Sequence, residues 1–322
     1  MVSAFVGYRV LVVDRVSGRF LEGLREAGLE VEYRPGIPRG VLLDIIKGFD
    51  VLVFRGGIVV DREVIDRGLR LRVLARYGVG LDNVDVDYAV SRGIAVVNAP
   101  TASSQSVAEL TIGLIIVALR SLHLHIDSVK RGVWSKGFYK GRELYGKKLG
   151  VIGFGRIGSR VARLAAAIGA RVLAYDVRDV REAVESVGGE LVGLEELLVE
   201  SDIVTLHVPL TPSTYRMMDE GRLRLLKDDA ILVNTSRGPV VDYEALLKHV
   251  DRLGAVALDV LDEEPPRSPT LRKLVEHPKV IVTPHIGAET IEAMERVGEE
   301  LLAGILEVLG VEAPNPRASP AT

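Results

Sequence analysis

Residues 149–158 read Leu-Gly-Val-Ile-Gly-Phe-Gly-Arg-Ile-Gly, an apolar strand that runs straight into a G-x-G-x-x-G turn and then into the helix-like segment Ser159–Ile168. No other stretch narrows so sharply what this chain can fold into. Gly153 permits the tight turn, Gly155 lets backbone approach a pyrophosphate, and Gly158 lets helix and strand pack closely while the helix N-terminus faces the anion. Gly-rich turns alone are common, so the weight comes from the surroundings. A second strand, Arg171–Tyr175, ends on Asp176, about 20 residues beyond the glycines, where such a fold places the carboxylate that holds an adenosine ribose. The combination predicts a bound dinucleotide. Asp176 would accept hydrogen bonds from both ribose hydroxyls and repel a 2′-phosphate, which favours NAD over NADP. Arg178 complicates that preference, because some NADP enzymes carry an Arg there, although they usually lack the acid.

The 322 residues suit two domains, each with its own core. A net charge of −3, without a basic run interleaved with aromatics, argues against nucleic acid as a partner. The longest apolar run, Leu110–Leu119, lies between Glu109 and Arg120 and is too short to span a bilayer, so it reads as a buried helix and no membrane partner is expected. Tyr8–Val13 follows no basic leader and reads as a first strand rather than a signal peptide. The chain has no Cys, which excludes disulfides, thiolate catalysis and Cys-based metal sites and fits a cytoplasmic location. His123 and His125, two apart on a helix, point to different faces, and no metal site is expected. The amides are confined to Asn83, Asn98, Asn234, Asn315 and Gln105. That scarcity, with Arg in excess of Lys, predicts a thermophilic source; GC-rich codon bias is the alternative reading of the Arg excess.

Strand-like and helix-like segments alternate from residue 8 onward, the pattern of parallel sheets built from βαβ units. Strands at Arg9–Asp14, Glu30–Tyr33, Val51–Phe54, Arg72–Tyr77 and Ala95–Asn98 are separated by helices at Gly18–Ala27, Val41–Lys47, Asp61–Arg67 and Val84–Arg92. This first unit lacks a G-x-G-x-x-G motif and is read as the source of substrate contacts. After Ala99-Pro100, the apolar helix Ser103–Leu122 and a Gly- and aromatic-containing loop, Gly132–Gly146, lead to the glycine-rich strand. Further strands are expected at Ile203–His207, Ala230–Asn234, Ala255–Asp259 and Val280–Thr283. The amphipathic segment Thr290–Leu309 has no strand partner and is expected to pack back on the first domain. The fold class is therefore α/β with two Rossmann-like domains. Residues 100–287 form a doubly wound parallel-sheet domain for the dinucleotide, and residues 1–99 with 288–322 form a smaller flavodoxin-like substrate domain. Crossings near Pro100 and Pro284 predict a hinge and a cleft between them. The Pro- and Ala-rich tail Glu312–Thr322 is expected to be poorly ordered.

In a doubly wound sheet, ligands sit beyond the carboxyl ends of the strands. Four residues stand out there: Arg237, Asp259, Glu264 and His285. An Arg fork matches a carboxylate and can polarise a carbonyl. A His can donate and accept a proton near neutral pH, and a neighbouring carboxylate favours its protonated form. Each residue alone has an ordinary structural reading; their shared position at the strand ends of one nucleotide-binding sheet is what marks them.

The motifs Val151–Gly158, His207-Val208-Pro209-Leu210, Asn234–Pro239, Leu258–Pro266 and Pro284–Ala288, in this order, resemble the signatures of the D-isomer-specific 2-hydroxyacid dehydrogenases, over about Val51 to Thr290. The resemblance implies that Arg237 binds substrate carboxylate and carbonyl, that His285 is the proton donor in reduction, and that Glu264 hydrogen-bonds His285. It implies that Asp259 holds the nicotinamide carboxamide and that Arg156 and Ile157 meet the pyrophosphate. Thr235, Ser236, Ile286, Gly287 and Ala288, with His207, Val208 and Pro209, would line the NAD site. The loop Gly78-Val79-Gly80 resembles the segment whose N–H groups grip the substrate carboxylate. Glu264 excludes the formate dehydrogenase branch, which pairs Gln with the His. The run from Arg76 to Asp85, with Arg55, is similar to the phosphoglycerate dehydrogenase branch, where Arg55 and Arg76 would meet a phosphate. That resemblance implies a place in serine biosynthesis, and an end near residue 322 would leave no room for a serine-sensing domain. Glyoxylate or hydroxypyruvate reduction on the same scaffold is the nearest alternative, and an NAD(H)-sensing corepressor-like protein is an alternative of another class. Family members usually dimerise through helix Ser103–Leu122 and the Trp134/Tyr139 loop, so a homodimer is expected.

Overall fold

The computed structural model describes residues 7–312. The first unit runs β1 (Arg9–Val12), α1 (Gly18–Glu26), β2 (Glu30–Tyr33), α2 (Arg39–Ile45), β3 (Val51–Phe54), α3 (Arg62–Arg67), β4 (Val73–Arg76), α4 (Val86–Ser91) and β5 (Ala95–Asn98). Among the described residues its strands form one parallel sheet in the order β2-β1-β3-β4-β5, the flavodoxin-like order. Alternation along each strand divides the core between two faces. Val10, Val12, Val51 and Val53 pack with α1, while Leu11, Val13, Leu52 and Phe54 pack with α2 and α3. Side-chain caps start several helices where the sequence provides acids or hydroxyls: Ser17 caps α1, Asp61 caps α3 and Asp85 caps α4.

The second unit runs α5 (Ser104–Arg120), α6 (Leu122–Lys130), β6 (Lys148–Ile152), α7 (Gly158–Ile168), β7 (Arg171–Tyr175), α8 (Arg181–Glu185), β8 (Glu190–Leu191), α9 (Leu194–Glu200), β9 (Ile203–Leu206), α10 (Glu220–Leu225), β10 (Ile231–Asn234), α11 (Tyr243–His249), β11 (Ala255–Leu258), α12 (Pro269–Val275) and β12 (Val280–Val282). Its parallel sheet has the order β12-β11-β10-β9-β6-β7-β8. The chain winds outward in one direction from β6 to β8 and in the other from β9 to β12, so β6 and β9 are neighbours at the point where the order reverses. That reversal is where a doubly wound sheet opens a crevice for a ligand.

Three details differ from the sequence expectation. The apolar helix stops at Arg120, because Ser121 adopts a left-handed backbone (φ 47°), and a second helix, α6, leaves at 70°. Leu110–Leu119 advertises its own burial but says nothing of that bend. The two-residue edge strand β8 is too short to register as a pattern. The boundary also moves: compact units divide at Ser103/Ser104 and Gly287/Ala288, because Ala99 and Ala102 are buried in the first unit's core, so residues 100–103 belong there rather than to the second unit.

The last helix, α13 (Ile291–Leu309), belongs to the first unit. It buries Val297, Leu301, Ile305, Leu306 and Leu309 against the same core as α1. The buried Tyr77 hydroxyl donates to the Met294 carbonyl at 2.5 Å and fastens β4 to this helix. Past residue 312, the tail expected to be poorly ordered lies outside the described residues. No single helix among the described residues is long and apolar enough to cross a membrane.

Candidate active site

The loop after β6 shows what its three glycines do. Gly153 has φ 90°, and a Cβ on it would meet the His207 carbonyl oxygen at 2.5 Å, so the strand ends of β6 and β9 touch at the reversal point. A Cβ on Gly158 would lie 2.0 Å from the Gly153 carbonyl oxygen, which fixes how closely α7 approaches its own turn. Gly155 is different. Nothing but the Arg178 side chain, at 3.9 Å, comes near its Cβ position, so the middle glycine leaves room at the N-terminus of α7. An open backbone edge beside unpaired first-turn N–H groups suits a pyrophosphate, with Arg156 and Ile157 on the turn. These residues fit a dinucleotide.

Asp176, after β7, reaches back to this loop: its Oδ2 accepts the Phe154 N–H at 2.8 Å. Arg178 takes the rest of the carboxylate. Its backbone N–H and Nε donate to Oδ1 at 2.9 and 3.0 Å, and its Nη2 donates to Oδ2 at 3.0 Å. Burial pushes the Asp176 carboxyl up, but the Arg178 and Phe154 hydrogen bonds outweigh it and hold the group below the usual range. The His207 ring bonds Thr205 Oγ1 at 2.9 Å through Nε2, and burial lowers its pKa to about 3, so it is neutral at physiological pH. Val208 and Pro209 follow it in the loop after β9.

The ends of β10, β11 and β12 carry the remaining candidates. His285 Nδ1 and Glu264 Oε2 are 2.8 Å apart, and Glu264 Oε1 accepts the Leu261 N–H at 3.0 Å, which fixes the carboxylate plane. The Glu264 hydrogen bond raises the His285 pKa above its ordinary value, against the opposing effect of burial. Burial pushes Glu264 up, but its bonds to His285 and Leu261 hold it below the usual carboxylate range. The Arg237 cation acts on both groups, stabilising ionised Glu264 and opposing the charge on His285. Arg237 Nη1 donates to the Ser236 carbonyl at 2.8 Å. The result is an ion-paired imidazole beside a guanidinium, with Nε2 on the far edge of the His ring.

Asp259 turns out to organise the His285 turn. This carboxylate is 2% exposed; its Oδ1 accepts Thr283 Oγ1 at 2.6 Å and the Ile286 N–H at 2.9 Å, and its Oδ2 accepts the Gly287 N–H at 2.9 Å. A carboxylate has about four acceptor sites, so one on Oδ2 stays available for another donor. The clamp holds His285 in a left-handed conformation (φ 54°), sparsely populated by non-glycine residues, and thereby aims its ring. Helix α5 braces the same loops. Ser106 Oγ donates to the Gly287 carbonyl at 2.7 Å, and Thr111 and Thr235 hydroxyls meet at 2.9 Å. Thr235 and Ser236 are buried, and Ser236 Oγ donates to Asn234 Oδ1 at 2.7 Å, so both hydroxyls hold the loop shape. Ala288 falls in the first unit.

In the first unit, Arg55 follows β3 and pairs with Glu289, while its backbone N–H donates to Asp14 Oδ2 at 2.6 Å. Arg76, at the end of β4, donates to the Tyr77 carbonyl at 2.7 Å and lies so close over Gly78 (φ 145°) that a Cβ there would meet its Nη1 at 2.5 Å. Thus Gly78, Val79 and Gly80 form a loop backed by the Arg76 side chain.

Residues missed in the sequence share a signal. Asn234 Nδ2 holds the Arg237 carbonyl at 2.9 Å, Asn83 Nδ2 holds the Arg55 and Ile58 carbonyls at 2.8 and 2.7 Å, and Asn98 Nδ2 holds the Val79 carbonyl at 2.6 Å. In a chain nearly without amides, these three asparagines brace loops that carry candidate site residues. Among the described residues, no group of three or more His, Asp or Glu could hold a metal ion.

Residues 112–287 match the family described as D-isomer specific 2-hydroxyacid dehydrogenase, NAD binding domain. The chain is 45% identical over 304 residues to a D-3-phosphoglycerate dehydrogenase of Methanocaldococcus jannaschii, covering 94% of this chain and 57% of that protein. It is 41% identical over 309 residues to a hydroxypyruvate reductase of Thermotoga maritima, covering 94% of this chain and 99% of that one. Among solved structures, a D-lactate dehydrogenase from Aquifex aeolicus, complexed with NAD and lactic acid, matches at 31% identity with a TM-score of 0.82, covering 95% of this chain and 99% of that one. The chain belongs to the D-isomer specific 2-hydroxyacid dehydrogenase family. The cofactor of its second unit is NAD. It spans little more than half the length of the phosphoglycerate dehydrogenase relatives it matches.

Proposed function

We propose that this chain interconverts a D-2-hydroxy acid and its 2-keto acid with NAD(H), and that its substrate pair is 3-phosphoglycerate and 3-phosphohydroxypyruvate, in serine biosynthesis. The observation that carries the reaction class is the His285–Glu264 pair, 2.8 Å apart, beside Arg237. When bound, NADH supplies the hydride for the carbonyl carbon of the keto acid, and NAD accepts it in the reverse direction. Arg237 holds the substrate carboxylate and polarises the carbonyl. Protonated His285 donates from Nε2 to the carbonyl oxygen as it becomes a hydroxyl; in oxidation neutral His285 takes that proton back. Glu264 keeps the ring oriented and its proton affinity high. The remaining acceptor site on Asp259 Oδ2 suits the carboxamide N–H of the nicotinamide. In the substrate unit, Gly78, Val79 and Gly80 would take the carboxylate through backbone N–H groups, and Arg55 and Arg76 the phosphate.

Hydroxypyruvate reduction is the second reading, and one observation favours it: Arg55 already has an anionic partner in Glu289, which a phosphate would have to replace. NADH oxidation with phosphohydroxypyruvate, hydroxypyruvate and glyoxylate, measured side by side, decides between them. A higher kcat/KM for the phosphorylated acid is the expected result; parity would overturn the phosphate assignment and leave the reaction class standing. The same reading takes the enzyme as a cytoplasmic homodimer from a thermophile. Trp134, Phe138 and Tyr145, 78%, 68% and 74% exposed, support a subunit contact. Sedimentation equilibrium tests the dimer, and a melting midpoint in the mesophile range would refute the thermophilic origin.

A further inference from the structure

The carboxylate expected to read the adenosine ribose is occupied by a residue of its own chain. Four donors reach Asp176: Phe154 N–H, and the backbone N–H, Nε and Nη2 of Arg178. An ionised carboxylate offers about four acceptor sites, so a ribose diol finds none free while Arg178 is in place. The two partners differ in their freedom to move. The Asp176 side chain is 7% exposed and tied to the glycine loop, whereas the Arg178 side chain is 65% exposed. The guanidinium is therefore the group that yields. It does not go far, because it is anchored two residues from Asp176 and its Nη2 is the nearest group to the open position beside Gly155.

We propose that Arg178 is a cofactor-selecting residue: it competes with the ribose of NAD(H) for Asp176 and, when displaced, receives a 2′-phosphate, so that the chain binds NADP(H) as well as NAD(H). Two opposing effects make the outcome specific. The guanidinium half of the pair is 65% exposed and screened by solvent, so displacing it lowers NAD(H) affinity only a few-fold. A phosphate offers the guanidinium a more highly charged bidentate partner than the carboxylate it leaves, and the cation offsets the repulsion that Asp176 alone would exert on that phosphate.

The test is calorimetric titration of the intact protein with NADH and with NADPH, without keto acid, so that binding is read apart from turnover. The protein as it stands is expected to bind both nucleotides, within about tenfold of one another. Arg178→Ala should bind NADH about threefold more tightly and NADPH at least tenfold more weakly; Arg178→Lys, which keeps the charge without the fork, should fall between for NADPH. Unchanged melting temperatures of the nucleotide-free variants exclude a folding effect, as expected for so exposed a side chain. Weaker NADH binding in Arg178→Ala, an unchanged NADPH-to-NADH ratio, or no NADPH binding by the unaltered protein overturns the proposal while leaving NAD as cofactor. Absence of binding by either nucleotide overturns the cofactor assignment with it.

Discussion

In the unit built on β1–β5, the arginines at the strand ends hold partners of their own unit, Arg55 with Glu289 and Arg76 with the Tyr77 carbonyl. In the unit built on β6–β12, the strand ends collect groups of different chemistry: a glycine turn, a guanidinium, a clamped carboxylate and an ion-paired imidazole. Both units are parallel sheets with helices on both faces, so the architecture alone does not separate them. The difference lies in what can change protonation state. The first unit's strand ends offer fixed cations and backbone N–H groups, which suit binding; the second unit's end in a His–Glu pair whose proton affinity is tuned, which suits chemistry.

Replacing His285 by Ala tests this contrast most severely. Loss of the proton donor should lower kcat by about 10²–10⁴-fold while NADH binding, read by calorimetry, stays near its original value. Retained turnover would break the comparison, because the chemistry would then lie elsewhere. A smaller effect is expected on the other side. Arg55→Ala should lower kcat/KM for phosphohydroxypyruvate relative to hydroxypyruvate by about ten- to a hundredfold, the range of one lost charge-assisted hydrogen bond. Glu289→Gln should move the same ratio upward. If neither variant changes it, Arg55 serves its own ion pair only.

The smallest change concerns pH. Reduction requires protonated His285, whose pKa is raised above 6.5 chiefly by the Glu264 hydrogen bond. Reduction is therefore complete at pH values below that raised pKa and falls as pH rises through it. Glu264→Gln removes the negative charge and lowers the pKa, so the alkaline limb for reduction should move toward acid, with kcat at low pH reduced less than in His285→Ala. Oxidation, which needs neutral His285, should have its acidic limb displaced the same way. Profiles that do not move would show that Glu264 orients the ring without tuning it.

Arg237, Asp259 and His285 were legible one at a time, because each sits within three residues of the end of an apolar strand and the strands announce themselves; Glu264 lies farther out, in the acidic loop after β11. Asp259 shows where that legibility ends. As the residue after β11 it stands out in the sequence as a carboxylate near a ligand, yet most of its acceptor capacity goes to Thr283, Ile286 and Gly287, 24 to 28 residues away. For Asn234, Asn83 and Asn98, neither the scarcity of amides nor the motifs that contain Asn234 and Asn83 reveals the carbonyls they hold. The bend at Ser121 was hidden for the opposite reason: its left-handed backbone is a local event that the apolar pattern of Leu110–Leu119 does not record.

By itself, the sequence determined the alternation of strands and helices, the two α/β units and the glycine junction at Gly153–Gly158. These follow from residue periodicity and backbone sterics, which act over a few positions. Only the tertiary structure decided which charges meet. Arg55 finds Glu289 across 234 residues of chain, Asp259 becomes the clamp of the His285 turn, and His285 finds Glu264. Even Arg178, two positions from Asp176, complicates the NAD preference in the sequence without revealing that its guanidinium bonds both oxygens of that carboxylate. Ion pairs of this kind depend on distance and angle within an ångström, and spacing along the chain specifies neither.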